Sequence, residues 1–122
     1  MSPLARTVFT FGVYVIGVGL TTMLAPGVIF QVLGIPTTTE PWIHLVGYLA
    51  AVIGFYYLVA ARSEAETFCR ATVPLRLFSA VVFVGVAALW GYWPVALFAV
   101  PDVAGALWTW STLQRTSAVT TA

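Results

Sequence analysis

Residues 42–62 read WIHLVGYLAAVIGFYYLVAAR, and no Asp, Glu, Lys or Arg interrupts the run before Arg62. An α-helix rises about 1.5 Å per residue, so about 20 apolar residues cover a hydrocarbon core of about 30 Å. The stretch from Trp42 to Ala61 meets that length without a charge. Working outward, three further stretches qualify: Val8 to Ala25, closed by Pro26-Gly27, then Leu75 to Trp93, and Val95 to Leu113. The expectation is an all-α protein, one integral membrane domain over residues 1–122. It is a four-transmembrane-helix bundle, up-down-up-down, with spans at about 8–25, 42–61, 75–93 and 95–113.

Composition points the same way. The chain is 61% hydrophobic and 7% charged, against about 25% charged in an ordinary soluble domain. Five arginines and four acidic residues are too few for a hydrated shell around a soluble core. A nucleic-acid footprint needs a basic patch, and none is present. The single cysteine, Cys69, has no intramolecular partner and reads as a reduced, cytoplasm-facing thiol. Lysine is absent while Ala, Val and Gly abound, a composition of GC-rich bacterial genomes. A secretory signal peptide fits Arg6 and the run after it less well, because the run is long and no A-x-A site follows.

Arginine placement sets the expected orientation. Arg6 precedes the first span, Arg62, Arg70 and Arg76 flank the connection between the second and third, and Arg115 follows the fourth. All fall on one side, which the positive-inside rule makes cytoplasmic, with both termini there. In a bacterial inner membrane these arginines meet anionic headgroups, and Arg62, Arg70 and Arg76 are candidate lipid-headgroup contacts. Glu66 and Arg70 are spaced i, i+4, as suits a brief helical turn in water. Trp42, Trp90, Tyr92 and Trp93 mark the outer boundary; Phe68, Phe78 and Trp110 lie nearer the inner one.

The connection after the first span is apolar yet too short to cross, from Pro26 to Ile35. It reads as a short helix, interfacial or re-entrant. Thr39 or Glu40 is the expected N-cap of the second span, with Pro41 in its first turn. Small residues give each span a close-packing face: Gly12 and Gly19; Gly47, Ala51 and Gly54; Ala80, Ala87, Ala88 and Gly91; Ala104, Gly105 and Ala106. Such faces serve either the bundle or a homo-oligomer.

Two polar sets stand out. Asp102 is placed about eight residues, or roughly 12 Å, into the fourth span, where an ionisable group is costly unless paired, hydrated or protonated. Pro101 before it favours a kink. Glu40, His44 and Tyr48 follow one another at i, i+4 and i+8 on the second span. A carboxylate one turn from a histidine orients its ring, as in acid–base pairs. With Asp102 these residues form a candidate polar pocket open to the outside. Each set has a structural reading too: a buried aspartate bonded to a neighbouring helix, and an interfacial cap. Metal-ligand spacing, phosphate-binding glycine loops and hydrolase motifs are absent, and no metal or cofactor is expected.

The stretches Leu33-Gly-Ile-Pro-Thr-Thr-Thr-Glu-Pro-Trp-Ile43, Gly54-Phe-Tyr-Tyr-Leu-Val-Ala-Ala-Arg62 and Phe68-Cys-Arg-Ala-Thr-Val73 resemble small bacterial four-helix membrane proteins of the BphX-like and wider DoxX-like group. The likeness lies in layout: four spans, an apolar loop after the first and an aspartate in the fourth. It implies the topology, and some DoxX relatives are associated with quinone-linked oxidation of sulfur compounds. It carries no catalytic residue over to this chain. The leading expectation is an accessory subunit or a binder of a lipid, quinone or other hydrophobic ligand, in contact with membrane lipids and a possible partner subunit. The alternatives are a membrane enzyme or redox partner using Asp102 with His44 and Glu40, and a small proton-coupled transporter titrating at Asp102.

Overall fold

The computed structural model describes the backbone of residues 1–34, 36, 40–91 and 93–121, with side chains as far as residue 115. The described chain is almost entirely helical: α1 (Pro3–Leu24), α2 (Pro26–Leu33), α3 (Trp42–Arg62), α4 (Glu66–Trp90), a 3₁₀ segment (Trp93–Phe98) and α5 (Ala99–Thr121). Among the described residues, α1, α3 and α4 are long and apolar enough to cross a membrane.

The central packing unit is the α1–α3 pair, and glycine makes it. A Cβ placed on Gly19 would lie 2.5 Å from the backbone nitrogen of Ala51 and 2.7 Å from the carbonyl oxygen of Gly47. One at Gly12 would lie 2.9 Å from Tyr57 Cβ and 3.0 Å from the Gly54 carbonyl oxygen. No residue larger than glycine fits this approach without separating the helices. Gly12 meets Gly54 while Gly19 meets Gly47, so the two helices run antiparallel. In lipid the hydrophobic effect adds little between helices, and close van der Waals packing of this kind supplies the attraction.

Helix α5 closes against α4 and α1. Ala80 and Ala87 on α4 and Ala99 and Ala106 on α5 are buried, whereas Ala88 and Ala104 are exposed. Phe11 and Arg76 both press on Gly105. Thr7 meets Thr109 while Phe11 meets Gly105, so α5 runs antiparallel to α1 over this level. Helices α3 and α4, by contrast, scarcely meet.

Several boundaries differ from the sequence expectation. Helix α1 starts at Pro3, because Ser2 caps it by accepting from the Ala5 amide, 3.1 Å, with proline in the first turn. Helix α4 starts at Glu66, so most of the expected 62–74 connection is helix and only Ser63–Ala65 turns. Pro74 lies inside α4, where it has no N–H to donate to the carbonyl of Arg70 one turn earlier. At the other end, α4 stops at Gly91, whose φ of 73° suits glycine at a helix C-terminus. The chain continues as a 3₁₀ segment, and α5 begins at Ala99 rather than Val95. Asp102 is therefore its fourth residue, not its eighth. Pro101 falls in the first turn, where no intrahelical bond is lost, which removes the expected reason for a kink.

Helix α2 is the apolar connection expected after the first span. No residue of it is buried, and Gly34 ends it at φ 68°. The N-cap position of α3 is Pro41, without a side-chain cap; Thr39 lies outside the described residues, as does Tyr92 of the expected aromatic belt. Trp42, Trp90 and Trp93 are all exposed.

A clasp joins the chain's start to the α3–α4 turn. Glu64 accepts from the Ser2 backbone N–H at 2.8 Å and from the Ser2 hydroxyl at 2.6 Å. These bonds, the side-chain one foremost, hold the Glu64 carboxyl below the usual glutamate range. Glu64 is held in left-handed backbone, φ 55°, which costs a non-glycine residue about 1–2 kcal/mol. Cys69 sits nearby in a cluster with Leu4, Ala5, Val8, Ala61 and Leu113. Its side chain is buried, not presented to water, and it packs as a small hydrophobe.

Candidate functional site

Arg76 is the residue around which the interior is organised. It is the eleventh residue of α4, roughly 15 Å from that helix's start, and only 2% exposed. The expectation that it touches lipid headgroups is corrected by this burial. A span starting at Leu75 places Arg76 at the membrane edge; because the helix runs through Pro74 from Glu66, Arg76 lies deep among the helices.

Its guanidinium is held on three sides. Nε donates to the Thr72 carbonyl oxygen at 3.3 Å, and Nη2 donates to Thr72 Oγ1 at 3.0 Å and to Thr109 Oγ1 at 2.6 Å. The Phe11 ring lies beneath it, 4.7 Å from Cζ to the centroid, a distance suited to cation–π attraction. Thr7 Oγ1 donates to the Leu4 carbonyl oxygen at 2.7 Å and lies 2.8 Å from Thr109 Oγ1. A hydroxyl has one hydrogen, so Thr7 spends its own on Leu4 and Thr109 must donate to Thr7. The bonds therefore run in one direction, from Arg76 through Thr109 and Thr7 to α1, tying three helices with buried polar groups.

Asp102 comes next to this network from the first turn of α5, 7% exposed. Arg76 and Asp102 line one cavity of about 240 Å³ without a direct ion pair at 4.0 Å or closer. Each keeps a buried polar atom with no partner among the described residues: Nη1 of Arg76 and Oδ2 of Asp102. Unmet buried groups of this kind are rare in native proteins, and each costs about 1–3 kcal/mol or more when charged. Half of the remaining wall residues are aromatic: Phe11 and Tyr14 from α1, Tyr57 from α3, Phe83 from α4 and Phe98 from the 3₁₀ segment. Ala50 and Ile53 of α3 face Ser79 and Phe83 of α4 across the gap where those helices fail to pack.

The other expected site residues lie elsewhere. Tyr48 is 53% exposed and borders a separate shallow cavity with Ile16, Leu20 and Phe55. At about 100° per residue, Tyr48 is roughly 160° around α3 from Ala50, which turns it away from the Asp102 cavity. His44 is exposed, and its Nδ1 meets the Met23 carbonyl oxygen. Met23 is nine residues along α1 from Tyr14 of the cavity wall, about 13 Å. Glu40 is exposed beyond the start of α3. The structure thus brings Asp102 together with Arg76, not with Glu40, His44 and Tyr48. Arg70 pairs with Glu66 at 2.7 Å on the exposed side of α4, and Arg62 lies over the Phe9 ring at 5.9 Å.

No family model, characterised protein or solved structure matches the chain. The site's own geometry is what speaks to its chemistry.

Proposed function

We propose that the protein is a small multi-pass membrane protein that binds a hydrophobic ligand from the bilayer in the Arg76–Asp102 cavity. In this reading α5 and the 3₁₀ segment before it complete a fourth span. From Trp93 to Leu113 they extend about 34 Å, enough for a core of about 30 Å. The long helices then form an up-down-up-down bundle. Arg6, Arg62, Arg70 and Arg115 gather at one end, which the positive-inside rule assigns to the cytoplasm of a bacterial cell, with both termini. Membership of the BphX-like and DoxX-like group belongs to the same proposal and fits this layout.

One observation carries the binding reading: two buried, oppositely charged side chains line a single cavity inside the helices, each with an unmet polar atom. Ionisable groups at such depth are expensive and mark functional sites by default. The gap between α3 and α4 gives a molecule dissolved in lipid a sideways route in. An acid–base reading through His44 has no comparable support, since His44 does not border this cavity.

The test is native mass spectrometry of protein released from bilayer nanodiscs. Wild type and Tyr48→Phe are expected to carry a bound apolar molecule that Arg76→Met and the cavity-filling Ser79→Phe lose. Equal occupancy in all four proteins contradicts the proposal.

A further inference from the structure

The cavity does not end at its aromatic wall. A second chamber of about 260 Å³ lies between α2 and the helices beneath it. Val18, Ala50, Phe83 and Phe98 border both chambers, so the two meet at these side chains. The Phe83 and Phe98 rings, 5.6 Å apart and tilted by 39°, form part of that boundary. Beyond it, Ile29, Phe30 and Leu33 of α2 form the roof, and Ile43 and Val46 of α3 part of the wall. The lining is almost wholly apolar. The half-buried face of α2 is thus the cover of an apolar chamber that adjoins a polar one.

Resting on the binding reading above, we infer that the ligand is a single-tailed amphiphile with a neutral hydroxyl head, the head at Arg76 and Asp102 and the tail under α2. The two chambers together fall within the size of ordinary small-molecule sites, about 300–1,000 Å³. The head follows from the two unmet atoms. Arg76 Nη1 is a donor and needs an acceptor; carboxylate Oδ2 of Asp102 is an acceptor and needs a donor. A hydroxyl supplies both from one oxygen. A ketone or ether oxygen satisfies Arg76 alone. An anionic head satisfies Arg76 but sets a second negative charge beside Asp102, which a site of low dielectric penalises. The aromatic wall suits a head carried on a flat ring, although an aliphatic alcohol presents the same hydroxyl.

The experiment measures saturable binding to the full chain in phosphatidylcholine nanodiscs, corrected for partitioning into lipid. The probes are 4-octylphenol, its methyl ether, 4-octylbenzoate and 4-ethylphenol. The octylphenol is expected to bind about tenfold or more tightly than the ether, which leaves Asp102 unmet. It should also bind more tightly than the benzoate and than the short-tailed phenol. Ile29→Trp, which fills the chamber under α2 and does not border the Arg76–Asp102 cavity, should abolish the gain from the longer tail and leave 4-ethylphenol unaffected. Equal binding of phenol and ether, or preference for the benzoate, overturns the neutral hydroxyl head and leaves the binding reading standing. Equal binding of the two phenols overturns the tail chamber. No saturable binding of any probe, with Ser79→Phe indistinguishable from wild type, overturns the binding reading itself.

Discussion

Replacing Gly19 by alanine adds a single methyl group at the tightest point of the α1–α3 contact. That methyl would stand 2.5 Å from Ala51 N, 2.7 Å from Gly47 O and 2.9 Å from Ala51 Cα. Ordinary contact begins at 3.4 Å, and each of these neighbours is backbone, which no rotamer change can move aside. The helices must part by roughly 1 Å, and a gap of 0.5–1 Å already forfeits a quarter to a half of each dispersion contact it opens. Overpacking of this kind costs about 1–3 kcal/mol. Gly17 is the internal control, because a Cβ there meets nothing within 4 Å. Gly17→Ala should gain up to about 1 kcal/mol from helix propensity. The two variants, two residues apart and chemically identical, should therefore differ by about 2–4 kcal/mol with opposite signs. Titration with SDS in dodecylmaltoside micelles, followed by circular dichroism, reads the difference. Equal midpoints for Gly19→Ala and Gly17→Ala would refute the backbone-to-backbone packing.

Thr109→Val removes the acceptor of Arg76 Nη2 and the donor to Thr7; it should cost about 1.5–3 kcal/mol in the same titration, against little for Ser111→Ala on the exposed side. Because Glu64 is held below its ordinary pKa, the Ser2–Glu64 clasp contributes fully above the unfolded glutamate value and is lost as pH falls through the lowered folded value. Amide exchange of residues 4–6 should accelerate over that acidic range, at higher pH in Ser2→Ala than in wild type. Cys69 should resist maleimide in folded protein and react after SDS unfolding, whereas rapid labelling of the native protein would contradict its burial.

Much of the architecture is legible in the sequence, and the reasons are local. The charge-free run from Trp42 to Ala61 is one helix in the structure, and the glycines at 12, 19, 47 and 54 lie where the helices touch. The apolar stretch after Pro26 is a short helix, as its length dictates. What sequence reading misplaces depends on rotation and register between helices. Tyr48 and Asp102 are expected in one polar pocket, yet the turn of α3 carries Tyr48 away from the cavity. Pro74 hides Arg76: taken as a boundary, it leaves the arginine in a cytoplasmic turn. A signal was present, because Thr72 stands one turn before Arg76 and both precede a long apolar run, with Thr7 and Thr109 among the hydroxyls of other helices. Their convergence is tertiary, and no local pattern announces it.

The measurement that bears most directly on an amphiphile held inside the helices is nuclear Overhauser spectroscopy of isotope-labelled protein in nanodiscs with 4-octylphenol. Contacts from the phenol ring to Phe11 and Phe83, a shifted Arg76 guanidinium resonance, and contacts from the tail methyl to Ile29 are the predicted result. Contacts confined to the exposed rings of Trp42, Trp90 and Trp93, with the Arg76 resonance unmoved, would contradict it.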